Sequence, residues 1–238
     1  MQLLLFDIDG TLVNSHGAGR AAMTYALETL FGTAGPVHSY NMAGKTDPRI
    51  ITDLLLAAGI PAGEITARLP EVYALMAQRA QETFGMAQIT PCPGVPELLA
   101  ALQTRPGVIL GLVTGNTALT APLKLAAAGI DPAQFSVGAF GSDEQDRNLL
   151  PALAIRRTTA LTGQPFSGHQ TVVIGDTPAD IICARAGQAR AVAVASGRYS
   201  RTTLARYRPD HLLDNLSATA AVVSLLLDGA QENAETGR

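Results

Sequence analysis

Residues 3–12 read Leu-Leu-Leu-Phe-Asp-Ile-Asp-Gly-Thr-Leu, an apolar run followed at once by two carboxylates. The run predicts a buried strand, so Asp7 and Asp9 lie just past its C-terminal end, where parallel α/β sheets bind ligands. One carboxylate can act as a nucleophile while its neighbour moves a proton, and both can approach a shared metal ion. The alternative is a polar turn in which Gly10 supplies a positive φ angle.

Two further apolar runs end in polar residues. Residues 108–113 predict a buried strand that ends in Thr114-Gly115-Asn116, and residues 171–174 predict another that ends in Gly-Asp-Thr-Pro-Ala-Asp at 175–180. Arg147 lies between them, at the start of a helical stretch. An acid pair, a hydroxyl, a cation and a second acid pair therefore follow one another along the chain. Three of these four pieces fall at the C-terminal ends of predicted strands.

In these residues the chain resembles the haloacid dehalogenase-like hydrolase superfamily, and within it the phosphatase branch with a helical cap, which includes phosphoglycolate phosphatases and β-phosphoglucomutase-like enzymes. The first motif of that family, D-x-D-G-T-L, matches residues 7–12, and the fourth, G-D-x-x-x-D, matches residues 175–180. Thr114 matches the hydroxyl of the second motif. The third motif is usually a Lys, and Arg147 is the best match to it, which is a departure from the family pattern.

The resemblance implies roles for the first acid pair. Asp7 would be the nucleophile that forms an acyl-phosphate, which water then hydrolyses. Asp9 would protonate the leaving alcohol and later deprotonate the water. An acid at this second position argues against the dehalogenase branch, because a halide leaves without a proton whereas an alkoxide needs one.

The second acid pair would complete a metal site. Asp176 would bind Mg²⁺ together with Asp7 and the backbone carbonyl of Asp9, because Mg²⁺ prefers hard oxygen ligands. Asp180 has two interpretations of equal weight. It lies near the metal, or it caps the helix that Pro178 begins, where the helix dipole favours an acid.

The hydroxyl and the cation would bind the phosphoryl group. Thr114 would donate a hydrogen bond to it, with the amides of Gly115 and Asn116 alongside, and Arg147 would neutralise its charge in the transition state. The alternative for residues 114–116 is that they form the N-terminus of the next helix, which Asn116 or Thr117 could cap. The alternative for Arg147 is a solvated side chain in an acidic loop.

Hydrophobic periodicity divides the chain into two parts. Residues 14–86 show helical patterns at 18–31, 48–58 and 64–84, the last interrupted at Pro70, and no credible strand. We therefore predict an all-helical insert, and the resemblance implies that it is a mobile cap over the site.

The rest of the chain alternates strands with helices. That alternation predicts a Rossmann-like parallel sheet with helices on both faces, built from residues 1–13 and 87–238 as one α/β catalytic core. A closing helix is predicted at 218–227, and residues 231–238 are expected to be frayed.

One loop of the insert is a candidate for substrate specificity. Residues 44–49 read Gly-Lys-Thr-Asp-Pro-Arg and lie between two predicted helices. Lys45 and Thr46 could contact the leaving group of the substrate when the cap closes. Equally, the loop could be a turn in which Asp47 and Pro48 begin the next helix.

Composition limits the classes of function. The chain has 238 residues, of which 47% are hydrophobic and 16% charged, with a net charge of −3 and no basic block, so we expect neither a nucleic-acid nor a membrane partner. The N-terminal apolar run lacks a basic lead and is interpreted as a strand rather than a signal peptide. Cys92 and Cys183 are far apart, which favours reduced thiols in a cytoplasmic protein.

Together these observations predict a cytoplasmic, Mg²⁺-dependent phosphomonoesterase that hydrolyses a small phosphorylated metabolite through a phospho-aspartate intermediate. The first alternative is a phosphomutase of the same superfamily. The second is a phosphate-binding module without turnover, against which the full set of acids argues.

Overall fold

β1 (Gln2–Phe6) lies at the centre of a six-stranded sheet, and all of its residues are buried. The computed structural model describes residues 1–227. The other strands of this sheet are β4 (Val108–Thr114), β5 (Val137–Phe140), β6 (Thr171–Gly175), β7 (Arg190–Val194) and β8 (His211–Leu213). The strand order is β5-β4-β1-β6-β7-β8 and every pairing is parallel. The parallel α/β sheet predicted from the sequence is confirmed.

Helices cover both faces of this sheet. Since side chains alternate along a strand, Leu4 and Phe6 enter one apolar cluster and Leu3 and Leu5 enter another on the opposite face. The helices associated with the sheet are α4 (Val95–Gln103), α5 (Ala121–Ala127), α6 (Leu150–Thr162), α7 (Pro178–Ala186), α8 (Arg201–Ala205) and α9 (Thr219–Leu227). Burial of the sheet on both faces explains why its strands read as continuous apolar runs in the sequence.

Three helices lie within the segment predicted to be the insert. They are α1 (Ala18–Phe31), α2 (Asp47–Ala57) and α3 (Ala62–Thr83). They surround a third apolar cluster that includes Leu27, Ile51, Leu54 and Met76. The chain enters and leaves this segment through a short antiparallel pair, β2 (Val13–Asn14) and β3 (Thr90–Pro91). We call residues 14–86 the helical insert, and its role as a mobile cap stays a prediction.

The helix at residues 62–83 differs from the prediction. We expected an interruption at Pro70, but α3 continues through it. A proline inside a helix removes one backbone donor and strains the turn before it. Ile65, Val72 and Met76 are buried on both sides of this proline, and their packing stabilises the two halves as one helix.

Two further predictions concern the membrane and the cysteines. Within residues 1–227 no helix is both long and apolar enough to cross a bilayer. Cys92 and Cys183 are free thiols and both are buried. The predicted fraying of residues 231–238 lies outside the described part of the chain.

Candidate active site

The predicted site residues meet at one edge of the sheet. Because β4 and β6 lie on either side of β1, the residues at or just past their C-terminal ends, Thr114, Asp176 and Asp7, are brought together. They line a cavity of about 460 Å³ between the sheet and the helical insert, and Asp9 and Arg147 line the same cavity. The sequence motifs that were far apart along the chain are therefore neighbours in space.

Arg147 pairs with both acid motifs. Its Nη2 lies 3.0 Å from Asp7 Oδ1 and 2.5 Å from Asp180 Oδ1, and its side chain is 8% exposed. A short 3₁₀ turn over Arg147–Leu149 presents it, and Asp146 begins that turn by accepting from the backbone N–H of Asn148 at 3.0 Å. The alternative of a solvated arginine is therefore wrong.

The structure confirms the capping interpretation of Asp180, whereas its place near a metal stays a prediction. Its Oδ2 accepts from the backbone N–H and the hydroxyl of Thr177, at 2.9 and 2.7 Å, so it completes a capping box at the start of α7. Its other oxygen holds Arg147. Gly175 makes this approach possible, since a Cβ there would lie 2.1 Å from Asp180 Cγ.

Three carboxylates form a candidate metal centre. Oxygens of Asp7, Asp176 and Asp180 lie within 4.8 Å of one another, and all three residues are buried. Burial raises the pKa of Asp7 and of Asp176, and the neighbouring Asp180 charge raises both further, while Arg147 opposes the rise. The three carboxylates together carry more negative charge than Arg147 neutralises, and a bound divalent cation would neutralise the rest.

The surroundings of Asp176 leave room for an ion-binding carboxylate. A Cβ at Gly10 would lie 2.4 Å from Asp176 Oδ2, and one at Gly197 would lie 1.7 Å from it, so neither position tolerates a side chain. Carboxylate oxygens are the hard donors that Mg²⁺ prefers. The residues present therefore fit a Mg²⁺ ion.

Asp9 accepts four hydrogen bonds from three side chains. Lys124 Nζ lies 2.9 and 2.7 Å from its two oxygens, the Ser15 hydroxyl donates to Oδ1 at 2.6 Å, and Asn116 Nδ2 donates to Oδ2 at 2.8 Å. Burial acts against ionisation, but Lys124 and these hydrogen bonds outweigh it and hold the pKa of Asp9 below its usual range. They favour the carboxylate, which is the form that accepts a proton.

Lys124 is a residue of this site that the sequence motifs do not predict. Its only signal was position, since Ala121, Lys124 and Leu125 share the buried face of α5, where a charge is unexpected. A lysine on a short helix is ordinarily interpreted as solvated, and only the fold shows that its partner is Asp9.

Among residues 1–227 the Thr114 hydroxyl only accepts hydrogen bonds, so its proton could be donated to a ligand. Its Oγ1 accepts from Asn116 Nδ2 at 2.8 Å and from the Asn116 backbone N–H at 3.3 Å, and the residue is fully buried. The alternative of a helix N-terminus is wrong here, because α5 begins only at Ala121, after Thr120. Gly115 contacts the insert instead, since a Cβ there would lie 2.1 Å from the carbonyl oxygen of Lys45.

The loop that precedes α2 docks on the core. Thr46 Oγ1 donates to the carbonyl of Gln145 at 2.7 Å, and the Asp47 backbone N–H donates to the carbonyl of Gly115 at 2.7 Å. The Asp47 carboxylate accepts from the Thr117 backbone N–H at 3.0 Å. The loop does begin a helix, as one alternative predicted, and it also joins the helical insert to the turn that follows β4.

Lys45 lines the cavity but pairs within the insert. Its ammonium lies 2.5 Å from the Tyr40 hydroxyl and 3.7 Å from Asp53, and it is stacked 4.0 Å from the centre of the Tyr40 ring. Its contact with a substrate stays a prediction, as does that of Thr46.

Comparisons with known proteins identify a family and several relatives that this chain resembles. A family model described as "Hydrolase: haloacid dehalogenase-like hydrolase" matches residues 1–188. A phosphoglycolate phosphatase from Synechococcus elongatus is 27% identical over 95% of this chain and 99% of its own, and pyrophosphatase PpaX from Bacillus pumilus is 24% identical over 92% and 95%. A solved structure described as a predicted phosphoglycolate phosphatase from Haemophilus somnus superposes with a TM-score of 0.68 at 23% identity, covering 94% of this chain and 98% of that one.

Proposed function

The chain belongs to the haloacid dehalogenase-like hydrolase family, and we propose that it is a Mg²⁺-dependent phosphomonoesterase acting on a small phosphorylated metabolite. The observation that carries the proposal is the convergence of Asp7, Asp9, Thr114 and Arg147 on one cavity of about 460 Å³. A cavity of this size is at the small end for ligand sites, which favours a compact substrate. Its wall on the insert side includes the apolar side chains Met23, Ile50, Met76 and Phe84.

The first chemical step transfers the phosphoryl group to Asp7. One of its carboxylate oxygens attacks phosphorus, and the bond from phosphorus to the leaving oxygen breaks. Asp9 in its protonated form gives its proton to that leaving oxygen, so that an alcohol departs. The product on the enzyme is an aspartyl phosphate.

The second step regenerates the enzyme. Asp9, now a carboxylate, takes a proton from a water molecule, and the water oxygen attacks phosphorus. The bond between phosphorus and the Asp7 oxygen breaks, which releases inorganic phosphate. The contacts that favour the carboxylate of Asp9 suit this step directly.

Donors around the cavity would stabilise the charge that builds on the phosphoryl oxygens. The Thr114 hydroxyl has a proton to give, and the backbone N–H groups of Gly115 and Asn116 lie in the same turn. The Nε of Arg147 is buried and has no hydrogen-bond partner within residues 1–227, so a phosphoryl oxygen would satisfy it.

Asp7, Asp176 and the backbone carbonyl of Asp9 would hold the metal ion. Bound there, Mg²⁺ supplies charge neutralisation between an anionic nucleophile and an anionic substrate. Asp180 would act through Arg147 and the capping box, where its oxygens are already engaged.

A screen of phosphorylated metabolites for release of inorganic phosphate tests the proposal. Release in the presence of Mg²⁺, lost in Asp7→Asn, is the expected result. An isomerised sugar phosphate without net phosphate release would identify the phosphomutase alternative instead. Binding of phosphate esters without turnover of any of them would identify the non-catalytic module.

A further inference from the structure

Lys124 is a buried ammonium whose hydrogen bonds end on the acid–base machinery. Its side chain is 3% exposed, and its Nζ contacts both oxygens of Asp9 and, at 2.5 Å, the side-chain oxygen of Asn116. An ammonium has three donors, and these three oxygens accept all of them. The N-terminal part of α1 packs over it, since a Cβ at Gly19 would lie 3.2 Å from the same Nζ.

Asp9 needs such support because its own position is open. Its side chain is 39% exposed to the cavity, and it lies past the end of β1, in an isolated bridge with Val13 rather than in a regular element. Without fixed partners, a carboxylate in such a place would rotate among several orientations. The contacts with Lys124 engage both oxygens at once and therefore fix the plane of the group.

Lys124 also sets the orientation of a second group. Asn116 accepts from Lys124 through its Oδ1, which leaves its Nδ2 to donate both to Asp9 and to Thr114 Oγ1, at 2.8 Å each. If the amide were reversed, its NH₂ would face the ammonium and its oxygen would face the Asp9 carboxylate. One buried cation thus holds Asp9 both directly and through the Asn116 amide.

We propose that Lys124 is a positioning residue for the reaction, which holds Asp9 in the orientation that lets it exchange a proton with the leaving oxygen and with water. It would not touch the substrate, since its three donors are occupied. The inference rests on the function proposed above, in which Asp9 is the acid and base. Misplacing a catalytic group by a fraction of an ångström lowers the rate without weakening substrate binding.

A double-mutant cycle tests this. The variants are Lys124→Met, Asp9→Asn and the pair combined, assayed for phosphate release from β-glycerophosphate, whose alkoxide leaving group needs a proton. We expect Lys124→Met to lower kcat on the order of 10²-fold with little change in KM, and to cause no further loss in the Asp9→Asn background. Lys124→Gln, which keeps a donor toward Asp9, should recover part of the loss.

A second substrate separates positioning from a general structural role. With 4-nitrophenyl phosphate the leaving group needs no proton, so the first-turnover release of nitrophenolate by Lys124→Met should stay close to that of the wild type. Thermal melting of each variant checks that it is folded, and Lys124→Gln replaces Lys124→Met in the cycle if the latter unfolds.

Three results would overturn the inference. The first is a wild-type kcat in Lys124→Met, and the second is a double variant in which the losses of the two single variants multiply. The third is a nitrophenolate burst that Lys124→Met slows as much as it lowers kcat on β-glycerophosphate. A fully active Asp9→Asn variant would instead refute the proposed function.

Discussion

Arg147 Nη2 lies 3.0 Å from Asp7 Oδ1, so a buried cation contacts the carboxylate that we propose as the nucleophile. Burial raises the pKa of Asp7, and the positive charge of Arg147 opposes that rise and favours the carboxylate. The family usually has a lysine in this role, whereas a guanidinium can bind one carboxylate while keeping other donors for a phosphoryl oxygen.

Arg147→Ala is expected to lower kcat on the order of 10²-fold or more, because it removes a donor to the phosphoryl group and the cation beside Asp7. Arg147→Lys should recover part of the rate. Arg156, an exposed arginine on α6, is the matched control, and its alanine variant should keep the wild-type rate. Steady-state assays of phosphate release measure all three. Equal rates in Arg147→Ala and Arg156→Ala would remove Arg147 from the mechanism.

Mg²⁺ is expected to stabilise the folded protein as well as to activate it. The acid cluster exists only in the folded state, so a bound cation raises the melting temperature by mass action. Asp176→Asn should abolish that increase. Ca²⁺, which takes a larger and looser ligand shell, should bind but inhibit turnover. Full activity in excess chelator would contradict the metal assignment.

Lys45→Ala is expected to change substrate preference more than chemistry. The side chain lines the cavity from the insert, whereas Asp7 and Asp9, the acids proposed to be catalytic, line it from the sheet side. The loss should appear in kcat/KM for the preferred metabolite and be small for 4-nitrophenyl phosphate.

Arg49→Ala is the matched control for Lys45. Arg49 also pairs with Asp53, at 2.9 Å, but is not among the residues that line the catalytic cavity. Equal losses in both variants and on both substrates would assign Lys45 to folding of the insert.

The Asp47 carboxyl gives a prediction about pH. Burial, with the nearby Asp9 charge adding to it and Lys124 opposing, raises the pKa of Asp47 from 3.8 to about 6. Between these values the folded state binds more protons than the unfolded state, so this group destabilises the protein increasingly as pH rises from about 4 to about 6.

Denaturant unfolding of Asp47→Asn across this pH range measures the effect. The variant should gain stability relative to the wild type as pH rises, by about 1.4 kcal/mol at most for each unit of the pKa shift, and the gain should level off above about pH 6. Asp53→Asn is a control whose stability relative to the wild type should change with pH in the opposite direction. The reason is that hydrogen bonds from Tyr40 and Arg49 lower the pKa of Asp53 against the effect of burial. A stability difference for Asp47→Asn that does not vary with pH would contradict the prediction.

The fold could be predicted because the buried strands carry a strong signal. β1, β4 and β6 read as apolar runs that end in polar motifs, and the structure pairs them side by side. The short elements β2, β3 and α8 were missed, because two to five residues are too few to show a period.

The candidate site was predictable only where a motif carries it. Asp7, Asp9, Thr114 and Asp176 lie at or just past the C-terminal ends of strands, and parallel strands fix where such residues meet. The partners of Asp9 come from elsewhere, since Lys124 lies on a helix and its contact depends on how α5 packs against the turn after β1. No local pattern encodes a contact across 115 residues of sequence.

The central claim is that Asp7 forms a covalent bond to phosphorus. Acid quenching during turnover, followed by peptide mass spectrometry, should find one phosphoryl group on the peptide that contains Asp7. Asp7→Asn should fold, lose turnover and carry no such group, because the amide is nearly isosteric but a poor nucleophile. Appreciable turnover by Asp7→Asn, or a phosphoryl group on a different residue of the wild type, would contradict the account.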